Sequence, residues 1–308
     1  IFLQEALAQR YEVLVEYRQL QGEIAAQQQL VAVYDDKIRV LKKLLELNVE
    51  TDLDELIDTE YDRDELALRL AGAESRLLQL RQILQDLGAG ASGDWQLDTV
   101  GFVRPLQLER IAASLTASPP LHPEIIEKEA EIARIDAEYQ FEKAKSQQML
   151  DFVQMRYRDR PGDPFNYDFA VGIGITLPYQ GSARVKMNTL KIEKSATDAD
   201  IRQLRLEMER QVKASQQQLT TLSVQYELAH RQWSDSQAQF TLRQAAAGAP
   251  VPEPLVLLRA KELALKRELR VLEMEREMFE HYLDILDWSG QLSAEPLTNY
   301  LSAGLEKI

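Results

Sequence analysis

The sequence predicts a mainly α-helical protein, built from long antiparallel coiled-coil helices with a β-hairpin set between them. Three observations carry this reading. Helix breakers are few and clustered: the 308 residues hold 13 Gly and 11 Pro, yet residues 1–87 contain two Gly and no Pro, and residues 182–247 contain neither. Apolar residues in both stretches recur at heptad-like spacing, the mark of helices packed side by side. One stretch, 167–177, switches to alternation, the period of a strand.

The first long helix shows its seam over residues 10–47. Tyr17, Ile24, Val31, Ile38 and Leu45 are seven apart, and Leu20, Tyr34 and Leu41 occupy the second seam position. A polar break at 48–52 follows. A second helix then runs to about Leu87, where Leu66, Leu70, Ala73, Leu77, Leu80, Leu84 and Leu87 alternate steps of four and three. Gly88, Gly90 and Gly93 stop it, so residues 1–87 read as a helical hairpin. Residues 88–121 form a connector punctuated by Pro105, Pro119 and Pro120, with a short helix at 106–115. A third helix over 122–148 carries a small-residue stripe of Ile126, Ala130, Ala133, Ala137, Phe141 and Ala144, suited to close helix approach.

Residues 149–179 then read as the β-hairpin. Leu150 to Arg158 is its first strand, and 160–164 its turn. In the second strand the odd positions are apolar (Tyr167, Phe169, Val171, Ile173, Ile175, Leu177) and the even ones small or polar (Asp168, Ala170, Gly172, Gly174, Thr176). Eleven alternating residues exceed the usual five or six, and about nine to eleven tilted residues cross a bilayer. A second helical hairpin spans 180–288. Its outgoing helix runs to about Ala247, with a seam that includes Ile201, Met208, Val212, Leu219, Tyr226, Trp233 and Phe240. After a break at 248–254, the return helix carries two sevenfold series. Leu258, Leu265, Leu272, Phe279 and Leu286 form one, and Leu257, Ala264, Val271, Met278 and Ile285 the other. Such a broad apolar face suits packing against more than one neighbour. Residues 289–308 are left as a C-terminal tail.

Composition narrows the function. A net charge of −14 with no Lys/Arg cluster excludes a nucleic-acid partner. The absence of Cys removes disulfides, thiol nucleophiles and thiolate metal sites. His122, His230 and His281 have no partners at metal-ligand spacing, so neither a metal site nor an enzyme is expected. No cofactor is expected either. Gly172-Ile173-Gly174 lies inside an alternating strand with no further glycine opening a helix, so a strand explains it better than a dinucleotide loop.

The two helix–break–helix units are alike, with Leu53 matching Leu255 at a separation of 202 residues. That suggests duplication of a half-protein. The same period places the counterpart of Pro178 before residue 1. A first β-hairpin, and the helix before it, are therefore expected upstream of this sequence.

Three segments carry a family resemblance. His122-Pro123-Glu124-Ile125 resembles an Asn-Pro-Glu-Ile-type helix start. Residues 167–182 resemble a strand with a Pro-Leu-Phe-x-Gly-Gly-type exit, here Pro178-Tyr179-Gln180-Gly181-Ser182. The two breaks resemble Gly-x-x-(Ser/Thr)-x-x-Asp-Val-Leu turns. In this order they resemble the TolC-like outer membrane efflux proteins, over nearly the whole chain. Gln180-Gly181-Ser182 departs from the family's acidic-Gly-Gly, and the second tip is richer in Pro.

The resemblance implies a homotrimer in the outer membrane of a Gram-negative bacterium. Its hairpins would form a transmembrane β-barrel, and its helices a periplasmic tunnel. Such a protein is a passive conduit, coupled through a periplasmic adaptor to an inner membrane transporter. Phe169, Val171, Ile173, Ile175 and Leu177 are then expected to face outer membrane lipid, and Ala170, Gly172, Gly174 and Thr176 the lumen. The tips, with Asp52, Asp54, Glu55 and Asp58 in one and Gly248, Pro250 and Pro252 in the other, are expected at the periplasmic entrance. Two readings of the acids stay open: solvated residues complementing a helix dipole, or a ring of carboxylates at the mouth. The competing function is a soluble periplasmic coiled-coil scaffold resembling an adaptor.

Overall fold

The computed structural model describes residues 2–47, 53–86, 101–115, 122–147, 150–158, 168–175, 181–246, 253–294 and 296–307. The elements are α1 (Phe2–Glu46), α2 (Leu53–Asp86), α3 (Pro105–Ser114), α4 (Pro123–Gln147), β1 (Leu150–Arg158), β2 (Asp168–Ile175), α5 (Gly181–Ser234), α6 (Gln237–Ala246), α7 (Pro254–Trp288) and a 3₁₀ turn at Gln291–Ser293. Helices carry well over half of the chain, as the breaker distribution predicts. They fall into two compact units, residues 1–122 with 208–308, and residues 123–207.

In the first unit α1 runs antiparallel to both α2 and α7. Val13 and Tyr17 pack with Leu80 and Leu84. Leu30, Val33 and Tyr34 meet Leu66, Leu258 and Leu265. Ile38 and Leu41 meet Leu56, with Leu45 and Leu255 alongside. The heptad seams therefore lie where the spacing put them. Both sevenfold series of α7 are inward, buried throughout except for half-buried Leu257 and Leu272.

The largest core joins α1, α3, α7 and the later part of α5 to the chain's last residues. Tyr11, Val103, Leu108, Val212, Leu219, Met278, Phe279, Tyr282, Leu292 and Leu301 are among its buried members. The segment 289–308 is thus part of the core rather than a tail. Phe102 and Ser302 form an antiparallel bridge, held by Val103 N–H donating to the Leu301 carbonyl at 2.8 Å. Two tyrosines reach the same segment: Tyr282 donates to the Tyr300 carbonyl at 2.9 Å and Tyr11 to that of Thr298 at 3.2 Å. Gly290, in the left-handed conformation at φ 70°, turns the chain out of α7.

The outgoing helix is not continuous to Ala247 as its seam suggested. It breaks at Ser234-Asp235-Ser236, residues whose short polar side chains compete for backbone groups. Ser236 caps α6, its Oγ accepting from Gln239 N–H at 3.1 Å. Arg267 and Arg243 donate to the freed carbonyls of Gln232 and Ser234 at 3.1 and 3.4 Å. The break resets the helical phase. Ala238 turns inward, and Phe240, assigned to the seam, is 52% exposed.

The second unit holds α4, the hairpin and the first part of α5. Ion pairs run down the two helices in opposite directions: Glu129–Arg205 at 2.8 Å, Asp136–Lys194 at 2.5 Å and Glu142–Lys186 at 2.9 Å. Exposed pairs contribute about 0.2–1 kcal/mol each, so they align the helices more than they stabilise them. Ile125, Ile135 and Glu142 are the buried side of α4. The small-residue stripe of Ile126, Ala130, Ala133, Ala137, Phe141 and Ala144 is exposed instead. A stripe shows which residues share a face, but not which face is covered; here it is the side of Ile125 and Ile135.

Candidate functional site

The hairpin is the first candidate. Its antiparallel register pairs Val153 with Ile173, Met155 with Val171 and Tyr157 with Phe169; between these lie Gln154 with Gly172, Arg156 with Ala170 and Arg158 with Asp168. Residues directly opposite share a face. One face therefore carries Val153, Met155, Val171 and Ile173, and the other Gln154, Arg156, Ala170, Gly172 and Gly174. A bulge between Leu150 and Phe152 brings Leu150 opposite Ile175 and Phe152 opposite Gly174.

On the apolar face Val153, Met155, Val171 and Ile173 are 60, 69, 53 and 59% exposed. On the other face Ala170 is exposed and Gly172 and Gly174 are half-buried. Phe169 and Ile175 hold strand positions, while Thr176 and Leu177 lie outside the described residues. An isolated two-stranded hairpin is marginal in water, and this one leaves four large apolar side chains uncovered. Gln154 and Arg156 were not singled out from the sequence. The signal was present in the alternation of Val153 and Met155 with them, and it needed β2's register to be read.

The helix ends are the second candidate. Asp54 and Asp58 are exposed at the start of α2. Glu55 accepts from Arg259 at 2.8 Å and lies 3.3 Å from Lys37. Lys37, its side chain 9% exposed, is also 3.3 Å from Glu262, which pairs with Lys266 at 2.8 Å. This network joins α1, α2 and α7, bringing the beginnings of α2 and α7 together although some 200 residues separate them. The Arg259 hydrogen bond holds the Glu55 carboxyl below its ordinary value. Burial works against charge on Glu262, yet hydrogen bonds and attraction from Lys266 and Lys37 keep it below its ordinary value too. Asp52, Gly248, Pro250 and Pro252 lie outside the described residues.

The histidines are packed into the helices. His122 is buried, its Nε2 3.1 Å from Gln4 Nε2; His230 lies between Tyr226, tilted against it, and Trp233, met edge-on; His281 Nδ1 lies 3.5 Å from Asp284. A half-buried Glu275 accepts from Tyr226 at 3.0 Å, and desolvation raises its carboxyl above the ordinary range. Among the described residues no cluster of His, Asp or Glu could hold a metal ion.

No family model and no curated protein matches the chain. Solved structures do. CusC, whose structures concern transmembrane channel formation, aligns at a TM-score of 0.63 with 14% identity, over 93% of this chain and 68% of its own. The open-state outer membrane channel MtrE of Neisseria gonorrhoeae aligns at 0.61 with 16% identity, over 94% and 66%. The chain has the outer membrane channel fold. The outer membrane protein VceC of Vibrio cholerae adds a third match at 0.56, with 13% identity, over 94% and 68%. The chain thus spans about two thirds of the length of these channel proteins. In this channel fold the long helices and the two-stranded hairpin belong to one architecture, as the order of elements in the sequence predicts. Among the described residues, no helix is long and apolar enough to cross a membrane.

Proposed function

We propose that this chain is one protomer of a homotrimeric channel in the outer membrane of a Gram-negative bacterium. It acts as a passive conduit for efflux, supplied by an inner membrane transporter through a periplasmic adaptor. The observation that carries the reading is the hairpin, which exposes Val153, Met155, Val171 and Ile173 on one face and Gln154, Arg156 and Ala170 on the other. That is the arrangement a shared membrane barrel requires, with an apolar band outside and a polar interior. Phe169, Val171, Ile173, Ile175 and Leu177 meet lipid. Ala170, Gly172, Gly174 and Thr176 meet the lumen. Neighbouring protomers supply the strands that one hairpin lacks.

The tips, with Asp52, Asp54 and Asp58 beside Gly248, Pro250 and Pro252, form the periplasmic entrance and the adaptor contact. The pairing of Glu55 with Arg259 supports adjacent tips, and gives Glu55 a structural task there. The test is extraction of the full-length protein from membranes, followed by reconstitution into planar bilayers. The expected result is a detergent requirement and discrete conductance steps. A protein released by buffer alone, and silent in bilayers, is instead the soluble coiled-coil scaffold.

A further inference from the structure

The polar face of the hairpin carries an arginine with no acid opposite it. Arg156 is exposed and paired in register with Ala170, beside Gln154 opposite Gly172. Ala170 and Gly172 are too small to cover a guanidinium. The next pair along the register is Arg158 with Asp168. Arg156 thus puts a positive charge on that face of each hairpin. The apolar face, with Val153, Met155, Val171 and Ile173, carries none.

We infer that Arg156 lines the barrel lumen and sets its charge selectivity, as a ring of guanidinium groups, one per protomer, that favours anions and small anionic solutes in transit. This rests on the channel reading above. A charge placed on the lipid side near the midplane is costly, so the arginine belongs inside. Rings of fixed charge in a pore select the opposite sign. Such selectivity is electrostatic, and it weakens as salt shortens the Debye length from about 30 Å at 0.01 M to about 3 Å at 1 M.

The experiment uses the full-length protein in planar bilayers under a KCl gradient. Arg156→Gln shifts the reversal potential toward cation preference, Arg156→Glu shifts it further, and Arg156→Lys leaves it at the wild-type value. The shifts shrink as ionic strength rises. The 308 residues contain no cysteine, so Arg156→Cys gives a thiol that membrane-impermeant thiosulfonates can titrate. A sulfonate-bearing reagent reproduces the Arg156→Glu shift, and a trimethylammonium-bearing reagent restores the wild-type potential. Ile173→Cys in the same membrane stays unmodified. If channels open normally but every Arg156 variant keeps the wild-type potential, Arg156 does not line the pore and the inference fails while the channel reading stands. Absence of any conductance from the wild-type protein overturns both.

Discussion

Replacing Lys37 with Met tests what holds the ends of α1, α2 and α7 together. The lysine's side chain is 9% exposed, and its two carboxylate partners, Glu55 and Glu262, are 23% and 16% exposed. Two limits bound the cost. Exposed pairs are worth about 0.2–1 kcal/mol, whereas removing one partner of a buried pair costs about 3–5 kcal/mol because a charge is left unpaired. Here neither carboxylate is stranded, since Glu55 keeps Arg259 and Glu262 keeps Lys266. The cost therefore falls between those limits, roughly 1.5–3 kcal/mol. Methionine retains most of the buried stem, so little packing is lost. The assay is native-state hydrogen exchange, read at the α1 amides around Ile38 and the first turns of α7. Lys42→Met serves as the control: that lysine pairs with Glu60 at 2.8 Å but is 56% exposed, and its loss costs under about 1 kcal/mol. The pH dependence has a fixed sign. Both acids sit below their ordinary 4.5 in the folded chain. Their contribution is present above that value and lost as pH falls through the folded values. The gap between wild type and Lys37→Met is thus widest near neutrality and closes in acid. If the two lysine variants lose the same small amount, or the gap widens in acid, the network does not stabilise this end.

Phe279 is fully buried and meets Phe102 edge-on at 5.8 Å; Phe279→Ala should cost about 3–5 kcal/mol and Phe279→Leu under about 1.5 kcal/mol, measured by urea unfolding in detergent. Ser236→Ala removes the cap of α6 and should cost about 1 kcal/mol, seen as faster amide exchange confined to the start of α6. Ile173→Arg, at a 59% exposed position of the apolar face, should destabilise the assembled barrel by about 2–4 kcal/mol, and unimpaired assembly would argue against lipid there. Charge reversal at Asp52, Asp54 and Asp58 together should alter ion preference in planar bilayers, whereas Glu55→Lys should chiefly lower stability. An unchanged preference after the triple reversal removes those acids from the mouth.

Much of the architecture was written locally. Heptad spacing in α1, α2 and α7 and the alternation through β2 are properties of short windows, because each periodicity follows from the backbone's own geometry. The element order, and even the limits of β1, followed from those windows and the Gly and Pro between them. Which face meets what is a different question. The stripe on α4 and the side bearing Ile125 and Ile135 look equally able to pack in sequence, and only the fold shows that the latter is buried. Nothing in the sequence marks Glu55 as a strut; Arg259, 204 residues away, and Lys37 on α1 make it one. Arg156 gained its meaning when the bulge and register set it across from Ala170. The break at Asp235 and the burial of Tyr300 and Leu301 were likewise hidden. Seam periodicity continues smoothly across a Ser-Asp-Ser step, and a short apolar tail buries itself only where distant helices leave room. Spacing along a chain fixes helices and strands, while charge pairing and burial depend on distances that folding alone creates.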